Sequence, residues 1–178
     1  MRYNAHKQPN ARVQTGCAVK IVAQMRRYKR PSTDDWVASG TVSCSQLELT
    51  ARCYADADSG RAAKAGNPSE DPRQPFGDHP FGIYLATDVR WSTTEKERQT
   101  YGPVRLVLDP VAGDALVAKQ NGRNGLAIHG GPTRDGALRA TFGCLRVDDE
   151  TAEALANAAS ERLKEGKTVD YICEEVPS

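Results

Sequence analysis

The chain has 178 residues, 39% apolar and 26% charged, a composition that suits one soluble globular domain over residues 1–178. Its 24 basic and 23 acidic side chains nearly cancel, which removes the electrostatic ground for a nucleic-acid partner. No apolar run approaches the roughly 20 residues that cross a bilayer, so no membrane span is expected.

Residues 1–9, Met-Arg-Tyr-Asn-Ala-His-Lys-Gln-Pro, carry basic groups with no apolar stretch behind them. They do not read as a secretory signal. The expectation is synthesis in the cytoplasm, with any work outside it reached by another route. His6, in this terminal segment, is assigned no role. The five cysteines are Cys17, Cys44, Cys53, Cys144 and Cys173, and an odd number leaves at least one thiol free. No Cys-x-x-Cys pair exists and no histidine sits at ligand spacing from a cysteine, so no metal site is expected. One disulfide among the cysteines other than Cys144 stays open.

Residues 17–24 and 36–43 read as strands, with the Arg26-Arg27-Tyr28-Lys29-Arg30 cluster between them as a solvated turn. Residues 46–54 alternate, with Leu47, Leu49, Ala51 and Cys53 on one face. From 55 to 79 the chain is rich in Asp, Ser, Gly, Asn and Pro, a long loop broken by a helical turn near 61–65. A connection of that length in a compact domain is more often functional than idle. Strands resume at 82–87, 104–108 and 126–129. Residues 110–114 look like a turn, with 115–119 as the returning strand of a hairpin. The clearest helix covers 149–164, with Asp148 as its N-cap, an apolar stripe through Ala152, Leu155, Ala156, Ala159 and Leu163, and Gly166 as its stop. Residues 169–173 form a closing strand. The sum is a mostly β fold with one main helix.

The chemistry lies in residues 125–147. His129 ends a strand and is followed by Gly130 and Gly131; fifteen positions after His129, Cys144 follows Gly143 just before the helix cap. A cysteine attacks an acyl carbon as thiolate, and a neighbouring imidazole takes its proton or holds it as an ion pair. Gly143 permits a sharp turn and lets the N–H groups of Gly143 and Cys144 face a developing oxyanion. Arg146 suits a substrate carboxylate. Each residue alone has a plainer structural explanation; the combination is what carries weight.

The run His129-Gly130, spacer, Thr141-Phe142-Gly143-Cys144-Leu145-Arg146 resembles the signature of the L,D-transpeptidase (YkuD-type) catalytic domain. Residues 77–84, Gly-Asp-His-Pro-Phe-Gly-Ile-Tyr, are similar to that family's segment ending in Pro-x-Gly-x-Tyr. The likeness is strongest over 45–150. Many members carry histidine where this chain has Phe142, and the spacer is short, implying a tight loop over the site.

The resemblance implies a mixed β-sandwich with the catalytic cysteine near the helix that follows it. It also implies a cofactor-free acyl transfer on peptidoglycan stem tetrapeptides. Cys144 would be the nucleophile, His129 the base and then the acid, and the backbone at Gly143 part of the oxyanion hole. Thr141 would orient His129 or line the donor pocket, or merely satisfy backbone. Arg146, Gly130, Tyr84 and Phe142 would contact substrate. The thioester would pass to an amine, giving a 3–3 cross-link or D-amino-acid exchange, or to water, giving carboxypeptidation. The expected place of action is the periplasm or cell wall. Two alternatives stand beside this reading. One is an antibacterial effector of the same fold, delivered by a secretion system into a rival and countered by an immunity protein. The other is a wall-binding module without turnover.

Overall fold

The computed structural model describes residues 18–29 and 36–177. Cys17, His6 and Arg30 lie outside them. Among the described residues the chain is mostly β, one sheet of eight strands with four α-helices. The first strand, β1 (Val19–Lys29), pairs antiparallel with β2 (Trp36–Cys44), and β2 pairs with β3 (Leu49–Tyr54) after a short 3-10 turn at Ser45–Leu47. Period-two alternation drives this: Val19, Ile21, Ala23 and Met25 point inward on β1, and Cys53 does so on β3. The expected turn at the basic cluster is a correction, because residues 26–29 continue β1. The Arg27 guanidinium lies 4.8 Å from the centroid of the Phe81 ring, an apolar support that lets a cation sit within a strand.

The remaining strands are β4 (Gly82–Trp91), β5 (Val104–Ala112), β6 (Ala127–His129), β7 (Leu145–Arg146) and β8 (Val169–Glu175). The order β1-β2-β3-β7-β6-β5-β4-β8 closes on itself, since β8 runs parallel to β1 from Val19↔Val169 to Met25↔Glu175. Residues 110–112 belong to β5 instead of a turn. Pro110 is accommodated opposite Tyr84 of β4, beyond the point where β6 pairs with β5 at 105–107, so its missing N–H leaves no ladder bond unmade on that side.

Four helices decorate the sheet: α1 (Ser59–Lys64), α2 (Glu95–Tyr101), α3 (Asp114–Gln120) and α4 (Asp149–Lys164). The expected hairpin strand at 115–119 is therefore helical. Ala115 and Ala118 are both buried, the three-residue spacing of one helix face. The main helix α4 stands where the stripe places it, with the Asp148 side chain accepting from the Thr151 N–H at 2.7 Å. It ends in a Schellman turn: Gly166 donates to the Leu163 carbonyl and Lys167 to the Arg162 carbonyl. Ala152, Leu155, Ala156 and Ala159 join the same core as Ile21, Leu106, Ile128 and Tyr171. Among the described residues no helix is long and apolar enough to cross a membrane.

Candidate active site

Strands β6 and β7 run parallel, with Ile128 opposite Leu145 and His129 opposite Arg146. Ile128 and Leu145 point into the core. Alternation then turns Ala127, His129, Cys144 and Arg146 to the other face, where His129, Cys144 and Arg146 line a cleft of about 740 Å³. The base candidate thus ends β6, and the nucleophile candidate directly precedes its parallel neighbour β7.

The His129 ring has its tautomer fixed locally. Nδ1 lies 2.7 Å from the Gly130 carbonyl oxygen, which can only accept, so Nδ1 carries the proton and Nε2 offers a lone pair. The edge of Tyr101 packs against the ring at 5.2 Å and 84°. The following loop is clamped by Asp149, which accepts from the Gly131 N–H at 2.5 Å. A Cβ on Gly130 would overlap that carboxylate and approach the Asp149 Cα at 3.0 Å, which explains the glycine.

The Cys144 Sγ–H donates to the Gly125 carbonyl oxygen at 3.6 Å, and the sulfur accepts from the Ala127 N–H. Among the described residues no hydrogen bond joins it to His129. Burial pushes the Cys144 thiol up from the ordinary cysteine value, opposed by the Ala127 N–H and by Arg123, Arg105 and Arg146. Burial lowers His129 to about 4, against the Gly130 bond and reinforced by Arg146 and Arg105. Both directions favour a neutral thiol and a neutral imidazole at rest, so of the two activation modes the resting site matches proton transfer on attack. Burial raises Cys53 and Cys173 to about 12. Cys44, Cys53, Cys144 and Cys173 are all free thiols.

The Gly143 N–H, expected to face an oxyanion, donates to Thr141 Oγ1 at 3.0 Å. Thr141 in turn donates to the Cys144 carbonyl at 2.8 Å. Thr141 lines the cleft and shapes the turn but makes no bond to His129. Gly143 has φ +107°, and a Cβ there would overlap the Arg123 guanidinium and sit 2.6 Å from the Gly77 carbonyl oxygen. Arg146 is buried, donating to the carbonyls of Pro132 at 2.7 Å and Thr100 at 3.4 Å, with Nε unpartnered and no ion pair among the described residues. Phe142 is exposed on the cleft wall, edge-on to Phe76 with Arg61 over its ring at 4.4 Å. Gly130 acts on His129 and does not line the cleft. Tyr84 is a correction: it is fully buried inside the barrel, its hydroxyl on the Pro80 carbonyl at 2.5 Å, away from the cleft.

The loop of residues 55–79 supports the site from beneath. Thr141 exchanges backbone bonds with it: its N–H reaches the Asp56 carbonyl at 3.1 Å and its carbonyl accepts from Asp58 at 2.8 Å. Arg123, to which no local sequence pattern gives a role, is buried with its guanidinium donating to the carbonyls of Pro72, Gln74, Gly77 and Gly143. Helix α2 forms a further wall through Lys96, Gln99, Thr100 and Tyr101. Its capping box, Thr94 with Glu97, was readable in the sequence; the burial of Arg123 was not. The cleft is basic, with Arg61, Lys96, Arg123, Arg139 and Arg146 facing one carboxylate, Asp58. That charge is invisible in a near-neutral whole chain. No family model, no curated protein and no solved structure matches this chain.

Proposed function

We propose that the protein is a cysteine acyltransferase of L,D-transpeptidase type acting on peptidoglycan stem tetrapeptides in the periplasm or cell wall, with its closed sheet a version of that family's sandwich. The observation that carries this reading is that His129, at the end of β6, and Cys144, directly before the parallel strand β7, line one basic cleft. In the proposed reaction the Cys144 thiol gives its proton to His129 Nε2 as sulfur attacks the carbonyl carbon of the third residue. The C–N bond to the terminal D-alanine then breaks, and the amine leaves with the proton from His129. A thioester remains, and an amine or water attacks it and restores the thiol. The five basic side chains suit a substrate rich in carboxylates, and Arg146 adds its charge to that cleft.

The test is incubation with tetrapeptide muropeptides, alongside Cys144→Ala. Wild type is expected to release D-alanine and to show a thioester, or a carbapenem adduct, at Cys144 by intact mass. Cys144→Ala is expected to lose both completely. Binding of muropeptide with no release and no adduct would leave the non-catalytic module instead. The wall-building and effector readings share this chemistry, so the experiment addresses the reaction common to both.

A further inference from the structure

His79 is 1% exposed and sits inside the barrel, outside the cleft. Its ring stacks on Tyr84 at 5.3 Å and 15° and tilts against Tyr171 at 5.7 Å. Nδ1 lies 3.0 Å from the Gly143 carbonyl oxygen and Nε2 lies 3.1 Å from the Tyr171 hydroxyl. The carbonyl can only accept, so Nδ1 carries the hydrogen and Nε2 accepts from Tyr171. The chain of donors therefore runs from Tyr171 through His79 to Gly143. Burial holds His79 neutral, at about 3, which keeps that direction over the working pH range.

The far end of this chain is the peptide that precedes the nucleophile. Its carbonyl oxygen also accepts from Arg123 Nη2 at 3.2 Å, so two donors grip it. A trans peptide is planar and its C=O and N–H point in opposite directions. Fixing the Gly143 oxygen inward therefore fixes the Cys144 N–H outward. The Gly143 N–H is already held by Thr141. A buried polar chain is costly unless every member is satisfied, and an apolar side chain would stack on Tyr84 equally well. What the imidazole adds is the grip on this one peptide.

We propose that His79 is a positioning residue for acyl transfer, holding the Gly143–Cys144 peptide so that the Cys144 N–H donates to the oxyanion. The role rests on the acyl-transfer reading above. It separates two reactions of the same sulfur. Acylation by a tetrapeptide or a carbapenem passes through an oxyanion; alkylation by iodoacetamide is a direct displacement that forms none.

The experiment measures both rates on wild type, His79→Gln and His79→Asn. Asparagine places an amide N–H near the Nδ1 position and keeps the bond to Gly143; glutamine reaches the Nε2 position and loses it. His79→Gln is expected to acylate about 10- to 100-fold more slowly, less than the roughly 100- to 1,000-fold cost of removing an oxyanion donor outright, because the donor is misplaced and not deleted. Its alkylation should stay within about 2-fold of wild type, and His79→Asn should recover most of the acylation. If His79→Gln does not fold, Tyr171→Phe gives the same ratio, with an expected fall of about 3- to 10-fold because the Nε2 partner is gone. A wild type that is acylated while the variants keep its ratio of acylation to alkylation overturns the role of His79 alone. A wild type that is alkylated but never acylated overturns the acyl-transfer reading and this role with it.

Discussion

At the scale of single residues, the site pairs a thiol whose burial raises it with an imidazole whose burial lowers it to about 4. The sign follows directly. His129 can act as base only while unprotonated, so the acid limb of the acylation rate is displaced below the ordinary imidazole value of about 6.5, toward pH 4. Acylation of the free enzyme is expected to hold steady from neutrality to about pH 5 and to fall below that, if measured on a timescale short of acid unfolding. Iodoacetamide alkylation, which needs the thiolate, should climb throughout the neutral range without a plateau. An alkylation plateau below pH 7 would reveal a preformed ion pair and overturn the neutral resting state. The same residues show why Cys144 stands apart from the other described thiols. Cys44, Cys53 and Cys173 also have raised values, but they face the core, whereas Cys144 faces a cleft lined with guanidinium groups.

At the scale of elements, α2 illustrates how a short surface helix supports the wall of the cleft. Thr94 Oγ1 accepts from the Glu97 N–H at 3.2 Å, while Glu97 reaches Arg105 at 3.2 Å, and Arg105 lies over the Tyr101 ring that packs against His129. Thr94→Ala removes one half of the capping box and should cost about 1 kcal/mol locally. Faster amide exchange across residues 95–101 and a several-fold rise in KM for tetrapeptide are expected, since Lys96, Gln99 and Thr100 line the cleft; an unchanged exchange rate would count against it. Strand alternation and the α4 stripe with its Asp148 cap are legible because each is encoded within a few residues; His129 and Cys144, fifteen positions apart, line the same cleft. The segment Asp114–Gln120 is helical where a strand is expected over 115–119, because a short apolar run, Ala115 to Ala118, fits either period. Tyr84 was misplaced because β4 turns a tyrosine inward and leaves Ile83 exposed. The closure of β8 on β1, the depth of Arg123 and the partners of His79 depend on residues far apart in the chain, and no local pattern reports them.

At the scale of the whole molecule, the fold carries buried titratable groups whose effects on stability oppose one another. His129 and His79 are lowered to about 4 and about 3, mainly by burial. Their contributions are fully present above the unfolded value near 6.5 and are lost as pH falls through those folded values. Asp78 is raised to about 6, again chiefly by burial, although its carboxylate accepts from the Ala57 N–H at 2.8 Å. Its contribution is present below the unfolded value near 3.9 and is lost as pH rises through about 6. Between pH 4 and 6 the carboxyl therefore offsets part of the loss from the histidines; below about 4 its gain and the His129 loss are both complete, and only His79 goes on losing, down to about 3. From these three groups, thermal unfolding between pH 3 and 8 should show a decline on acidification that begins near pH 6.5 and stays shallow below about 6, without steepening at pH 4. Asp78→Asn should look better relative to wild type at pH 7 than at pH 4, because the amide replaces a carboxylate in one case and a neutral acid in the other. If the difference between the two proteins does not change with pH, Asp78 is not titrating as its burial requires. The bond to Ala57 would then be the whole of its role in bracing the loop beneath Cys144.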